Sequence, residues 1–175
     1  MSANIDVDGL RLTATTDWNL RKWDDSTAYR KGLQKLIEGS KAVDLVGIRS
    51  RVVYFIELKD FVGHHIENKQ RLTSPDLPIE IASKVRDTVS GLVGEGREVG
   101  TEWTEVSREL VGPNHLHVIL WVFVDKHELK NEVTMNTLEQ ELSKCLRWLK
   151  KCRVRIATTQ DDHALEGITA KRLKK

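Results

Sequence analysis

Two acids and a lysine in one short stretch are the residues of this chain best spaced for chemistry. Asp44 lies thirteen residues before Glu57, and Lys59 follows Glu57 by two. The stretch 41–59, KAVDLVGIRSRVVYFIELK, reads as two apolar β-strands, 42–48 and 52–59, joined by the polar turn Arg49-Ser50-Arg51. Side chains alternate along a strand, so Glu57 and Lys59 share a face. If Ile48 pairs with Val53 around the turn, Asp44 stands opposite Glu57 on that face, about 5 Å away. Two carboxylates that close repel unless a cation lies between them, and a hard divalent ion favours such an oxygen set. The Leu58 carbonyl is a third candidate ligand. Lys59, one pleat on, is placed to hold an attacking water and to stabilise charge developing on a phosphate. A register slipped by one residue would send Asp44 to the other face, so the inference depends on the turn. The other reading is a structural ion-pair cluster at a half-exposed hairpin.

An Asp on one strand followed by Glu-Leu-Lys on the next resembles the PD-(D/E)xK nuclease superfamily, which includes type II restriction endonucleases and Holliday-junction resolvases. Val43 stands where the family name has proline. The resemblance covers about residues 20–125. It implies a restriction-endonuclease-like α/β/α sandwich with a mixed central β-sheet. It also implies metal-binding carboxylates at Asp44 and Glu57, a catalytic lysine at Lys59, and Mg²⁺ or Mn²⁺ as cofactor. Some members carry a further acid on the helix before the hairpin, and here Asp24, Asp25 and Glu38 are the acids available.

The flanking elements must hold that hairpin. Residues 4–15 suggest an edge strand or hairpin around Asp8-Gly9. A helix is expected from Asp24-Asp25-Ser26 to Glu38-Gly39, with Tyr29, Leu33, Leu36 and Ile37 as its apolar face. After Lys59 the polar segment 60–69 leads away from the strand end, and His64, His65 and Lys69 are candidate nucleic-acid contacts. A second helix is expected over about 78–93, with Ile81, Val85, Val89 and Leu92 at helical spacing. Glu80 and Lys84 share its exposed side as an i,i+4 pair, and Lys84 is also a candidate phosphate contact. Residues 91–100 hold four glycines without P-loop spacing and read as a helix end and loop, followed by a short helix over 101–110. The apolar run 115–124, HLHVILWVFV, predicts a central strand. His115 and His117 share a face there; they read as satisfied histidines at a strand entrance or as groups near the metal site, and a zinc site lacks its further ligands. An amphipathic helix over 135–151, a strand over 153–159 and a last helix over 161–173 complete the order.

At 175 residues, with 31% charged and 39% hydrophobic residues, the chain is expected to form one domain spanning 1–175, its core at about 20–125 and a basic helical extension at 135–175. No 18-residue apolar run and no signal-peptide pattern are present, so the expectation is a cytoplasmic protein without a membrane partner. Cys145 and Cys152 are expected as reduced thiols. The net charge of +2 is uneven: residues 144–175 carry +7, leaving −5 for the remainder. A basic end suits a polyanion or a solvated tail. Together these features predict a metal-dependent endonuclease acting on nucleic acid, with DNA preferred by family habit, as a homodimer or within a larger complex. The alternative from another class is a catalytically silent nuclease-fold subunit that binds nucleic acid or protein partners in a repair or defence complex.

Overall fold

A computed structural model describes residues 3–63, 70–124, 132–158 and 165–173, the side chains of residues 132 and 133 excepted. His64, His65 and Lys69 therefore lie outside the described residues, as do residues 125–131.

The N-terminal hairpin forms where expected. Strands β1 (Ala3–Val7) and β2 (Leu10–Ala14) are joined by Asp8 and Gly9, both at positive φ (47° and 81°), the type I′ geometry that suits a two-residue hairpin. Along β2, Leu10, Leu12 and Ala14 are buried and Arg11 and Thr13 are not, the period of two that a half-buried strand requires. Strand β3 (Asn19–Lys22) follows. The next helix, α1, is a π-helical turn (Ala28–Leu33) running into one α-helical turn (Gln34–Leu36). Ser26 starts it, its hydroxyl accepting the Tyr29 amide at 3.1 Å.

Strands β4 (Leu45–Arg49) and β5 (Val52–Asp60) then form the expected hairpin. The long helix α2 (Asp76–Glu95) and the short α3 (Thr104–Val111) lead to β6 (Leu116–Phe123). Helix α4 (Glu132–Cys145) and strands β7 (Cys152–Thr158) and β8 (Ile168–Arg172) complete the described elements.

The main sheet has the order β3-β4-β5-β6-β7, an antiparallel meander whose last member, β5, runs parallel to β6, and β6 to β7. The expected mixed sheet and α/β class are present, and β6 is central as its unbroken apolar run requires. One face of the sheet, formed by Val46, Ile48, Val53, Phe55, Val118, Leu120 and Val122, packs against the helices through residues such as Ile81, Val85, Leu92 and Leu142. The other face, formed by Leu45, Ile56, Leu58, Ile119, Trp121 and Phe123, packs against a three-stranded sheet of order β1-β2-β8. That second face corrects the expected α/β/α layering: among the described residues it is covered by strands.

Three further expectations change. Strand β3 lies between the expected N-terminal hairpin and the expected helix, where no element is expected. It carries a single buried side chain, Leu20, too little for a strand pattern. In α1 the π turn widens the spiral, with the Gln34 amide bonded to the Tyr29 carbonyl. The apolar face therefore loses Leu36 and Ile37, which are 78% and 55% exposed. The last element, expected as a helix over 161–173, is strand β8 in its described part, paired antiparallel with β2. Beyond helix α4 the described part of the basic end thus forms strands, and Arg172 is bonded to Asp60 at 2.8 Å.

Candidate active site

The β4–β5 hairpin sets the site. Ser50 and Arg51 both take positive φ (51° and 66°), a type I′ turn built without glycine. The register that follows pairs Ile48 with Val53 and Leu45 with Ile56. Asp44, one residue before β4, therefore comes opposite Glu57, on the helix-covered face with Lys59. The backbone of Asp44 continues the β3–β4 register, its carbonyl accepting the Trp23 amide at 3.0 Å, while its pairing toward β5 has ended. Its carboxylate takes over, Oδ2 accepting the Leu58 amide at 2.7 Å. Helix α2 fixes the approach: Asp87 Oδ2 accepts the Lys41 amide at 2.8 Å and Thr88 Oγ1 the Val43 amide at 3.2 Å.

Two ammonium groups converge on Glu57, which is 1% exposed. Its Oε1 lies 2.6 Å from Lys84 Nζ and 2.9 Å from Lys59 Nζ. Lys84 Nζ is also 3.8 Å from Asp44 Oδ1. Lys59 reaches on to Glu80 Oε1 at 3.1 Å, and Arg71 holds the other Glu80 oxygen at 3.0 Å. Glu57 Oε2 is buried and has no hydrogen-bond partner. A buried carboxylate oxygen without a partner costs about 1–3 kcal/mol or more, so the cluster is not satisfied by its own side chains.

The electrostatics follow from burial. Desolvation pushes the Asp44 carboxyl up to about 7, the charge of Glu57 adds to this, and Lys84 and the Leu58 amide oppose it. Burial alone would lower Lys59, but Glu57 and Glu80 outweigh it and raise its pKa. For Glu80 burial is outweighed in turn by Lys59 and Arg71, which hold its carboxyl below the usual range. Asp24 is raised by burial, with Lys22 and Lys84 acting against it.

Beside the carboxylates opens a polar cavity of ≈ 680 Å³. Asp24, Arg30, Lys41, Glu80 and Lys84 line it together with Tyr29 and Ser40. Asp24 Oδ1 is buried there without a partner. Of the three acids available near the first helix, the fold thus brings Asp24 to the site.

The donor set suits a hard cation in a particular way. Among the described residues no group of three or more His, Cys, Asp or Glu side chains is arranged to hold a metal ion. Asp44 and Glu57 are two carboxylates, one with an oxygen that lacks any partner, and the Leu58 backbone is bonded to Asp44. Magnesium is commonly held by one or two carboxylates, with waters and substrate oxygens filling the rest. These residues fit that mode and not an all-protein cage.

Asp44, Glu57, Leu58, Lys59 and Lys84 are therefore gathered in one place. The histidine pair is not. His117 is paired with Tyr54 in the sheet, on the face away from Glu57, and its ring meets the Tyr54 ring edge-on at 5.0 Å. Burial lowers its pKa, with Arg153 and His115 contributing. His115 Nδ1 lies 3.3 Å from the Lys151 carbonyl. His115 is exposed just before β6 and His117 lies within it on the face away from Glu57, which removes the reading that set them near the metal site. Sequence reasoning missed the role of Glu80 and misread Lys84, which turns inward to Glu57 instead of pairing along its own helix. The i,i+4 spacing marked both residues, but only the packing of α2 on β5 gives their direction.

No family model matches the chain, and no solved structure matches it. Among curated proteins it is similar to a cysteine–tRNA ligase of Neisseria meningitidis serogroup A, 30% identical over 112 residues, which covers 59% of this chain and 16% of the ligase. The chain thus spans about one-sixth of the length of that relative.

Proposed function

We propose that the chain is a Mg²⁺- or Mn²⁺-dependent nuclease whose hairpin works as in the PD-(D/E)xK nucleases, with Asp44 and Glu57 as metal ligands. The observation that carries the proposal is a buried Glu57 oxygen without a partner, opposite Asp44 and two residues before an ion-paired lysine. The order meander, helix, parallel strand supports the same reading.

When bound, the ion supplies Lewis-acid polarisation of a phosphoryl oxygen and lowers the pKa of water near it. The chain's own residues do the rest. Asp44, its second oxygen tied to the Leu58 amide, presents Oδ1 in a fixed orientation. Lys59 stays charged between Glu57 and Glu80, so its ammonium holds the attacking water and offsets charge developing on the phosphate. Glu80, clamped by Arg71, keeps Lys59 aimed at the face it shares with Glu57. The adjoining polar cavity, with Arg30 and Lys41 on its wall, offers a path for the phosphate backbone.

A second reading keeps the same residues without chemistry. Lys84 and Lys59 together already pair Glu57, as a structural ion cluster would, and the chain would then act as a silent nuclease-fold subunit that binds nucleic acid or protein partners. One experiment separates the two. Wild type and Glu57→Gln are incubated with supercoiled plasmid, single-stranded DNA and RNA in EDTA, Mg²⁺ and Mn²⁺. The likeness to part of a tRNA ligase adds transfer RNA to that panel. Cleavage that needs the metal and falls about 100-fold or more in Glu57→Gln is the expected result. Equal, metal-independent behaviour of both proteins on every substrate would leave the silent subunit in its place.

A further inference from the structure

The most unusual member of the cluster is Lys84. It comes from α2, not from the hairpin, and its ammonium sits 2.6 Å from Glu57 and 3.8 Å from Asp44. That is the position a cation must take between two facing carboxylates. The same lysine also lines the neighbouring cavity, together with Asp24. At 18% side-chain exposure it is neither sealed in nor solvated. Each end of its reach has an unmet acceptor: Glu57 Oε2 on the hairpin side and Asp24 Oδ1 on the cavity side, both buried and without a partner.

We infer that Lys84 is a built-in stand-in for the divalent ion, holding Asp44 and Glu57 together in the metal-free protein and turning into the cavity toward Asp24 when the ion enters. This rests on the metal-site reading of Asp44 and Glu57. Lys84 Nζ lies within 3.8 Å of both carboxylates, so a divalent ion held by the same pair would meet its charge at short range. Either the ion is excluded or the ammonium moves, and a lysine stem with four rotatable carbons can swing where a backbone ligand cannot. Asp24 gives the displaced charge a partner, and Lys84 then faces the cavity, where a substrate phosphate would meet it. The lysine is a positioning residue: its charge sets how tightly the ion binds and where it leaves the carboxylates.

The test uses Mn²⁺ binding and lysine labelling, with no need for turnover. By calorimetry, Lys84→Met, which keeps the length of the stem without the charge, is expected to bind Mn²⁺ about tenfold tighter than wild type, since a competing charge within 4 Å is gone. Glu57→Gln is expected to lose binding. In wild type, amine acetylation read by mass spectrometry is expected to rise several-fold at Lys84 on adding saturating Mn²⁺, with no matching rise at Lys59. The labelling arm uses the natural chain and so stands if Lys84→Met does not fold. Unchanged labelling at saturating Mn²⁺, or Lys84→Met binding no tighter than wild type, overturns the stand-in role while the metal site remains. If neither wild type nor Lys84→Met binds Mn²⁺, the metal site itself is wrong and this inference falls with it.

Discussion

Asp44 carries the clearest consequence at the level of single residues. Its carboxyl is raised from 3.8 to about 7 in the folded, metal-free protein. The folded state therefore holds that proton more tightly than the unfolded chain does. Unfolding releases it between about pH 4 and pH 7, so this residue's contribution to stability falls as pH rises through that window. At about 1.4 kcal/mol per pH unit, the loss amounts to a few kcal/mol by pH 8. Asp44→Asn keeps an acceptor for the Leu58 amide and removes the charge. In EDTA, urea unfolding at pH 4, 6 and 8 is expected to show the variant equal to wild type at pH 4 and more stable at pH 8. Parallel curves across the range would mean that Asp44 is charged throughout. Asp44, Glu57 and Lys59 could be picked out from residue type and spacing, because a strand period of two assigns faces without any tertiary knowledge. Glu80 and Asp24 could not: an acid on a helix surface and an acid at a helix start have ordinary roles, and only the packing of both onto the hairpin turns them to the cluster.

Helix α2 is the element on which the site leans, since it supplies Glu80 and Lys84 and also holds residues 41 and 43 through Asp87 and Thr88. Its placement depends on a close approach to Trp23. A Cβ at Gly91 would come within 2.6 Å of the Trp23 ring, which is 0% exposed and braced edge-on by Trp103 at 4.9 Å. Alanine is the better helix former by about 1 kcal/mol, but overpacking against a ring that cannot retreat costs about 1–3 kcal/mol. Gly91→Ala is therefore expected to lower the melting temperature and to weaken Mn²⁺ binding as α2 shifts. Gly94→Ala, with nothing within 4 Å of its Cβ, serves as control and is expected to be neutral or stabilising. A fall of the same size in both would place the effect in the helix backbone instead of the Trp23 contact. The helix itself was legible from its apolar spacing. The strand β3 and the π turn of α1 were not, because one carries too few apolar residues to show a period and the other departs from the 3.6-residue spacing on which such readings rest.

For the whole molecule, the decisive contact joins the two ends of the chain. Strand β8 pairs with β2, and Ile168, 1% exposed, lies in the core between the small sheet and the large one. Trp18 Nε1 donates to the Glu166 carbonyl at 3.0 Å, and Arg49 Nη1 to the same carbonyl at 3.0 Å, so the end of β4 is tied to this junction. Ile168→Ala is expected to cost about 2–5 kcal/mol, and with it roughly 4–20 °C in melting temperature at about 2–4 °C per kcal/mol. Hydrogen exchange is expected to quicken first in β1 and β2. Loss confined to β8, with the N-terminal hairpin still protected, would show that the small sheet does not depend on that strand. No described helix is long and apolar enough to cross a membrane.

What the sequence by itself determined was local: which residues share a face of a hairpin, where the hairpin turns fall, which run is apolar enough for the middle of a sheet. These follow from short-range sterics and from periods of two and 3.6 residues. Only the tertiary structure decided what covers each face, and so replaced an expected outer helix layer by a sheet. It also turned the residues 168–172 from helix to strand by offering them the open edge of β2, since backbone pairing at an edge outweighs local propensity. The inward turn of Lys84 was decided in the same way. A lysine four residues from a glutamate has a surface partner by default, and only the two buried carboxylates across the α2–β5 contact give it a stronger one.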